Sequence, residues 1–94
     1  MLEKVKGTLR ITTNAPGIVG EVEDLIEACK LDMKIAGISE EKIESEGDAL
    51  ITRAIITYAK ANFGYDNKDA ERFLRSYEML KQHLSLSSEY IDVE

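Results

Sequence analysis

The feature that most constrains this chain is a series of apolar residues at Ile18, Val22, Leu25, Ile26, Cys29, Met33 and Ala36. Spacing of i, i+4, i+7, i+8 and i+11 gathers them into one stripe of an α-helix. Glu21, Glu23, Asp24 and Glu27 come early in this stretch and Lys30 and Lys34 late, an order that complements the helix macrodipole. Pro16 lacks the N–H that a helix interior needs but suits a first turn, with Thr13 or Asn14 available as cap, and Gly37 suits the C-terminal cap. The pattern predicts a helix over 17–36 with one buried face, so other elements must cover that face.

Three further segments supply the cover. Leu2, Val5 and Leu9 have helical spacing over 2–10, although Gly7 in their midst costs about 1 kcal/mol relative to alanine. A short, fraying helix is expected there. The stretch 48–62, DALITRAIITYAKAN, is apolar on most sides, which predicts a central helix surrounded by others, and Ser45 followed by Asp48 resembles a capping box before it. Over 68–84, Ala70, Phe73, Leu74, Tyr77, Leu80 and Leu84 form a core stripe, with Glu71 and Arg75 placed as a favourable i, i+4 pair. Between the second and third helices, ISEEKIESEG at 38–47 reads as a connection with one helical turn and solvated acids, and 85–94 reads as an irregular tail that ends acidic. No segment shows sustained strand alternation. The fold class is therefore all-α: a single domain over 1–94, built as a small bundle of about four helices with a short first helix.

A chain of 94 residues buries only somewhat over ~60% of the surface that its unfolded form exposes, so a partner interface is a natural source of added stability. Twelve Lys and Arg stand against 18 Asp and Glu, and the net charge of -6 repels a phosphate backbone unless a local basic patch overrides it. The single Cys29 excludes an intramolecular disulfide, and one Cys with one His cannot build a Cys/His zinc site. With no apolar run near ~18 residues and no signal-peptide core, the expectation is a soluble protein of a reducing cytoplasm without membrane contact.

Candidate chemistry is sparse. NFGYDNKDAERF at 62–73 concentrates Asp66, Asn67 and Asp69, but a calcium loop counted from Asp66 would meet Lys68, Ala70 and Glu71 where it needs acids or amides and then glycine. As helix punctuation the stretch works: Gly64 suits a left-handed C-cap, and Asp66 with Asp69, or Asn67 alone, can accept the N–H groups of the next helix. Cys29 lies on a core stripe with no base partner in sequence, and His83 sits near a helix C-terminus where an exposed or dipole-facing role is the ordinary one. No catalytic, cofactor-binding or metal-ligating residue is predicted, and no enzyme. Lys68, Arg72 and Arg75 share one face with Glu71 and Glu78, which reads as a mixed-charge solvated or subunit-facing surface rather than a nucleic-acid patch. Tyr58 and Tyr77 fall on core stripes, whereas Tyr65 and Tyr90 lie outside the helices and offer contact area with a polar tip. Tyr65, Arg72, Arg75, Tyr90 and Ile91 are the candidate interface residues.

The order LEKVKGTLRI, EVEDLIEACKLDMKIAGI, DALITRAIITYAKANFGYDN and ERFLRSYEMLKQHLSLSSEY resembles the small head-tail connector proteins of tailed bacteriophages, often labelled DNA packaging proteins in phage and prophage gene sets. The resemblance is a whole-chain pattern, weighted toward the helix running into FGYDN and the RSYEMLKQHL after it. It implies a helical subunit of a homo-oligomeric ring of about twelve copies, closed by head-to-tail contacts, in a virion or in the host cytoplasm when expressed from a prophage. Such a ring would dock on the portal protein, meet the next tail-connector component, and let DNA pass without specific binding. The connection 38–47 and the tail 85–94, least used by the expected core, would be free to reach those neighbours. The alternative is a small cytoplasmic helical adaptor or regulator binding one protein partner.

Overall fold

A computed structural model describes residues 1–11, 15–45, 47–63 and 68–91. Among them the chain is a small all-α bundle of five helices: α1 (Leu2–Thr8), α2 (Pro16–Ile35), α3 (Glu40–Ile43), α4 (Ala49–Asn62) and α5 (Ala70–Ser85). The capping residues expected at Thr13, Asn14, Asp66 and Asn67, with Gly64, lie outside the described residues. Helix α4 packs against α1, α2 and α5, and α2 also carries α1 and α3.

Two helices end in the same way. After α2 the Gly37 N–H donates to the Lys34 carbonyl at 3.0 Å and the Ile38 N–H to the Met33 carbonyl at 3.1 Å, with Gly37 at a φ of 102°. This is a Schellman cap, and its glycine supplies a conformation that side chains resist. Helix α1 closes identically through Arg10 to Gly7 at 3.1 Å and Ile11 to Lys6 at 2.9 Å. Here the left-handed position falls on Arg10, with φ of 60°, so the first helix stops at Thr8 instead of running to residue 10.

The core draws on Val5 of α1, on Val22, Ile26, Cys29 and Met33 of α2, on Ile51, Ala54, Ile55 and Ala59 of α4, and on Tyr77 and Leu84 of α5. Burying each larger aliphatic side chain contributes roughly 1.5–3 kcal/mol before conformational entropy is counted. The small Ala54 lets α2 approach α4 closely, and the Cys29 Sγ comes to 4.0 Å from the Ala54 carbonyl oxygen. Helix α4 is central, but it is not covered all round: Leu50 is exposed and Ile56 and Tyr58 are half-buried. Leu74 of α5, assigned to the core by its spacing, is also exposed, because α5 presses on α4 through a seam narrower than its apolar stripe.

The start of α4 corrects the expected capping box. Asp48 itself is the N-cap, and its Oδ1 accepts the N–H groups of Leu50 and Ile51, both at 3.0 Å. Ser45 instead lends its carbonyl to the Asp48 N–H at 3.2 Å. The N-cap position of α2 is Ala15, whose carbonyl accepts from Ile18 and Val19.

The connection and the tail are built into the body more than their composition suggests. Ile38, Ser39 and Ile43 are buried, and α3 is tethered to α2 by Lys30–Glu44 at 3.3 Å and Lys34–Glu40 at 3.5 Å. Beyond α5 the chain is irregular, as expected, but the Ser39 N–H donates to the Tyr90 carbonyl at 2.6 Å and Ile91 forms an antiparallel bridge with Ile38. The Tyr90 hydroxyl donates to Asp48 Oδ1 at 3.2 Å. Lys42 lies 5.4 Å from the Tyr90 ring centroid.

Candidate functional site

Three clusters of polar or exposed apolar residues gather around α5. The first is internal. Tyr77, fully buried, donates its hydroxyl to Asp32 Oδ2 at 2.6 Å, and Lys81 Nζ donates to the same oxygen at 2.8 Å while holding Glu78 at 3.0 Å. Tyr77 also meets Tyr58 edge to face, with ring centroids 5.0 Å apart. Burial works to raise the Asp32 carboxyl, but the hydrogen bonds from Lys81 and Tyr77 and the Lys81 charge outweigh it and hold its pKa below the ordinary carboxylate value. Burial likewise works against the Lys81 ammonium, and its bonds to Asp32 and Glu78 override this and raise its pKa. Tyr77 is pushed well up, first by burial and then by its bond to Asp32.

Cys29 lies beside this cluster, and desolvation pushes its thiol up to about 12. A thiol in that state is a poor nucleophile, because the thiolate is the reactive form. The cluster therefore fastens α2 to α5.

The second cluster is an open groove between α4 and α5 of about 380 Å³, lined by Arg53, Ile56, Lys60, Arg72, Phe73 and Leu80 together with the hydroxyls of Thr57 and Ser76. Lys60 and Arg72 both approach the Phe73 ring, at 5.5 and 5.1 Å from its centroid, so the aromatic face gathers positive charge. Arg72 is also paired with Asp69 at 3.6 Å on the rim. Among the described residues that line this groove there are three cations and no carboxylate, in a chain whose net charge is -6.

The third cluster lies on the other flank of α5. Ala28, Leu31, Asp32 and Ile35 of α2, Tyr58 and Asn62 of α4, and Leu74 and Glu78 of α5 border a groove of about 410 Å³. Leu31 is 59% exposed and Ile35 77%, so two large aliphatic residues one turn apart share the side of α2 opposite its buried stripe. By helical spacing they continue the line of Asp24, Glu27 and Ala28, all exposed, along the outer side of α2.

Of the residues singled out in the sequence, Arg72 lines the basic groove, and Arg75 is exposed on the far side of α5, paired with Glu71 at 3.6 Å. Tyr90 and Ile91 sit together where the tail docks on Ile38, Ser39 and Asp48, remote in sequence from both grooves. Tyr65 lies outside the described residues. Arg53, Lys60 and Phe73 are not legible as a group in the sequence, because their association needs the register between two helices. Leu31 and Ile35 did carry a signal: they are large aliphatic residues that fall off the buried stripe of α2. Among the described residues no helix is long and apolar enough to cross a membrane.

Comparison with known proteins gives one family: the model described as phage connector protein matches residues 1–91. No curated protein and no solved structure matches the chain.

Proposed function

The chain belongs to the phage connector protein family, and on that premise we propose that it is a non-enzymatic structural subunit of the head-tail connector of a phage or prophage virion. The observation that carries the reading is the family match, which takes in all five helices and the docked tail. In this reading, copies assemble head to tail into a closed ring of about twelve, since a repeated heterologous contact closes when its rotation divides the circle. The ring docks on the portal, receives the next tail component, and surrounds the path of the DNA during packaging and ejection.

The acidity of the chain supports this role. A surface of net negative charge repels the phosphate backbone and so lets DNA slide without being held. Arg72, Arg75, Tyr65, Tyr90 and Ile91 are the proposed contact residues, the last two through the side of the docked tail that faces solvent.

The test is to mix the purified protein with portal-bearing capsids and follow co-sedimentation and negative-stain images. Rings centred on the portal vertex are the expected result. A chain that stays monomeric at high concentration and ignores the portal overturns the reading.

A further inference from the structure

We infer that the basic groove between α4 and α5 of one copy is the seat of the outer side of α2 of a second copy, so that this pair of surfaces makes the subunit contact. The inference rests on the ring reading above and adds to it the two faces that meet.

A head-to-tail contact requires two different surfaces on each subunit that complement one another. The structure contains such a pair. The groove gathers Arg53, Lys60 and Arg72 around the apolar floor of Ile56, Phe73 and Leu80. The outer side of α2 offers the reverse: Glu21, Asp24 and Glu27 in its first half, then Ala28, Leu31 and Ile35, all exposed. Each surface is apolar and charged, and the charges are opposite in sign. The two lie on separate flanks of the subunit, since the groove takes Arg72, Phe73, Ser76 and Leu80 from α5 while the exposed aliphatic residues of α2 border the flank carrying Leu74 and Glu78. A copy therefore cannot satisfy its own groove with its own α2.

The physical case for an occupant is on both sides. Leu31 and Ile35, at 59% and 77% exposure, leave aliphatic surface in water that a contact would remove. Arg53 makes no ion pair with the described residues, and opposite charges across an interface fix register and exclude wrong partners. A helix with apolar side chains at i, i+3 and i+7 is also the usual ligand of an apolar groove, and Ala28, Leu31 and Ile35 have that spacing.

The test uses the whole chain in four forms: the natural sequence, Arg53→Glu with Arg72→Glu, Asp24→Lys with Glu27→Lys, and Leu31→Ser with Ile35→Ser. All the substituted positions are exposed or on a groove rim, and circular dichroism checks that each form is folded. Sedimentation velocity over a concentration series reads self-association. Each substituted form is expected to associate about tenfold more weakly or worse, and an equal mixture of the two charge-reversed forms to recover contacts that neither makes alone.

If the natural protein assembles and binds portal-bearing capsids while all substituted forms assemble equally well, the pairing of these faces is wrong and the ring reading survives. If the natural protein neither assembles nor binds the portal, both fall. If the Arg53 and Arg72 reversal abolishes binding to a short DNA duplex but leaves assembly unchanged, the groove is a phosphate seat and the pairing is again wrong. Should a charge reversal prevent folding, the Leu31 and Ile35 form decides, since normal assembly by it overturns the pairing.

Discussion

Replacing Tyr77 with phenylalanine removes one oxygen from the centre of the bundle and leaves the ring, with its edge-to-face contact to Tyr58, in place. The lost hydroxyl donates at 2.6 Å to Asp32 Oδ2, which keeps Lys81 at 2.8 Å. A hydrogen bond to a charged group contributes about 1.5–3 kcal/mol. The Asp32 side chain is 39% exposed, so water recovers part of that, and the expected destabilisation is about 1–2 kcal/mol. For a domain of this size that lowers the melting temperature by about 4–16 °C.

The pH dependence carries the sharper test. Asp32 is held below its unfolded-state pKa, so its contribution is fully present above the unfolded value of about 3.9 and is lost as pH falls through the lower folded value. Without the Tyr77 hydroxyl the folded pKa of Asp32 rises toward the ordinary one. The stability gap between natural protein and Tyr77→Phe should therefore be widest near neutrality and narrow as Asp32 is protonated. Thermal melts followed by circular dichroism at steps from neutral pH to about pH 3 measure it. A variant within about 0.5 kcal/mol of the natural protein at neutral pH, or a gap that does not change with pH, would refute the account of how α2 is held to α5.

Two other substitutions test local geometry. Arg10→Gly places glycine at the left-handed end of α1, where the arginine now sits at φ of 60°, and should stabilise the protein by about 0.5–1 kcal/mol despite adding backbone freedom to the unfolded chain; a loss in urea melts would show that the arginine side chain matters more than its backbone. Asp48→Ala removes the acceptor of the Leu50 and Ile51 N–H groups and should destabilise by about 1–2 kcal/mol, whereas Ser45→Ala should stay within about 0.5 kcal/mol; the opposite order in the same assay would restore Ser45 as the cap.

What the sequence made legible was the part of the fold written in local spacing. The α2 stripe, the Gly37 stop, the Pro16 start and the central place of α4 all depend on residues within a turn or two of one another. The Asp32–Tyr77–Lys81 cluster was not legible, because its members are 45 and 49 residues apart and Asp32 looks like one more acid on a charged helix. The choice between Ser45 and Asp48 turns on three residues of offset, less than one helical turn, which composition does not resolve. The docking of Tyr90 is not legible in the sequence, because it lies outside the helices and its partners are at Ser39 and Asp48. The basic groove is hidden in the sequence for a related reason: Arg53 and Lys60 belong to the helix with the most apolar pattern, and their meeting with Arg72 depends on how α4 and α5 align.

Asp48 Oδ1 accepts from the Leu50 and Ile51 amides and from the Tyr90 hydroxyl, so a single oxygen serves the first turn of one helix and the far end of the chain. Local opening is thereby made communal. Lifting the tail withdraws a donor from the carboxylate that shields those amides, and fraying of that turn swings the carboxylate away from Tyr90. The segment at Tyr90 and the head of the central helix are therefore expected to open together in hydrogen exchange, so that holding Tyr90 in place would also slow exchange of the first amides of α4.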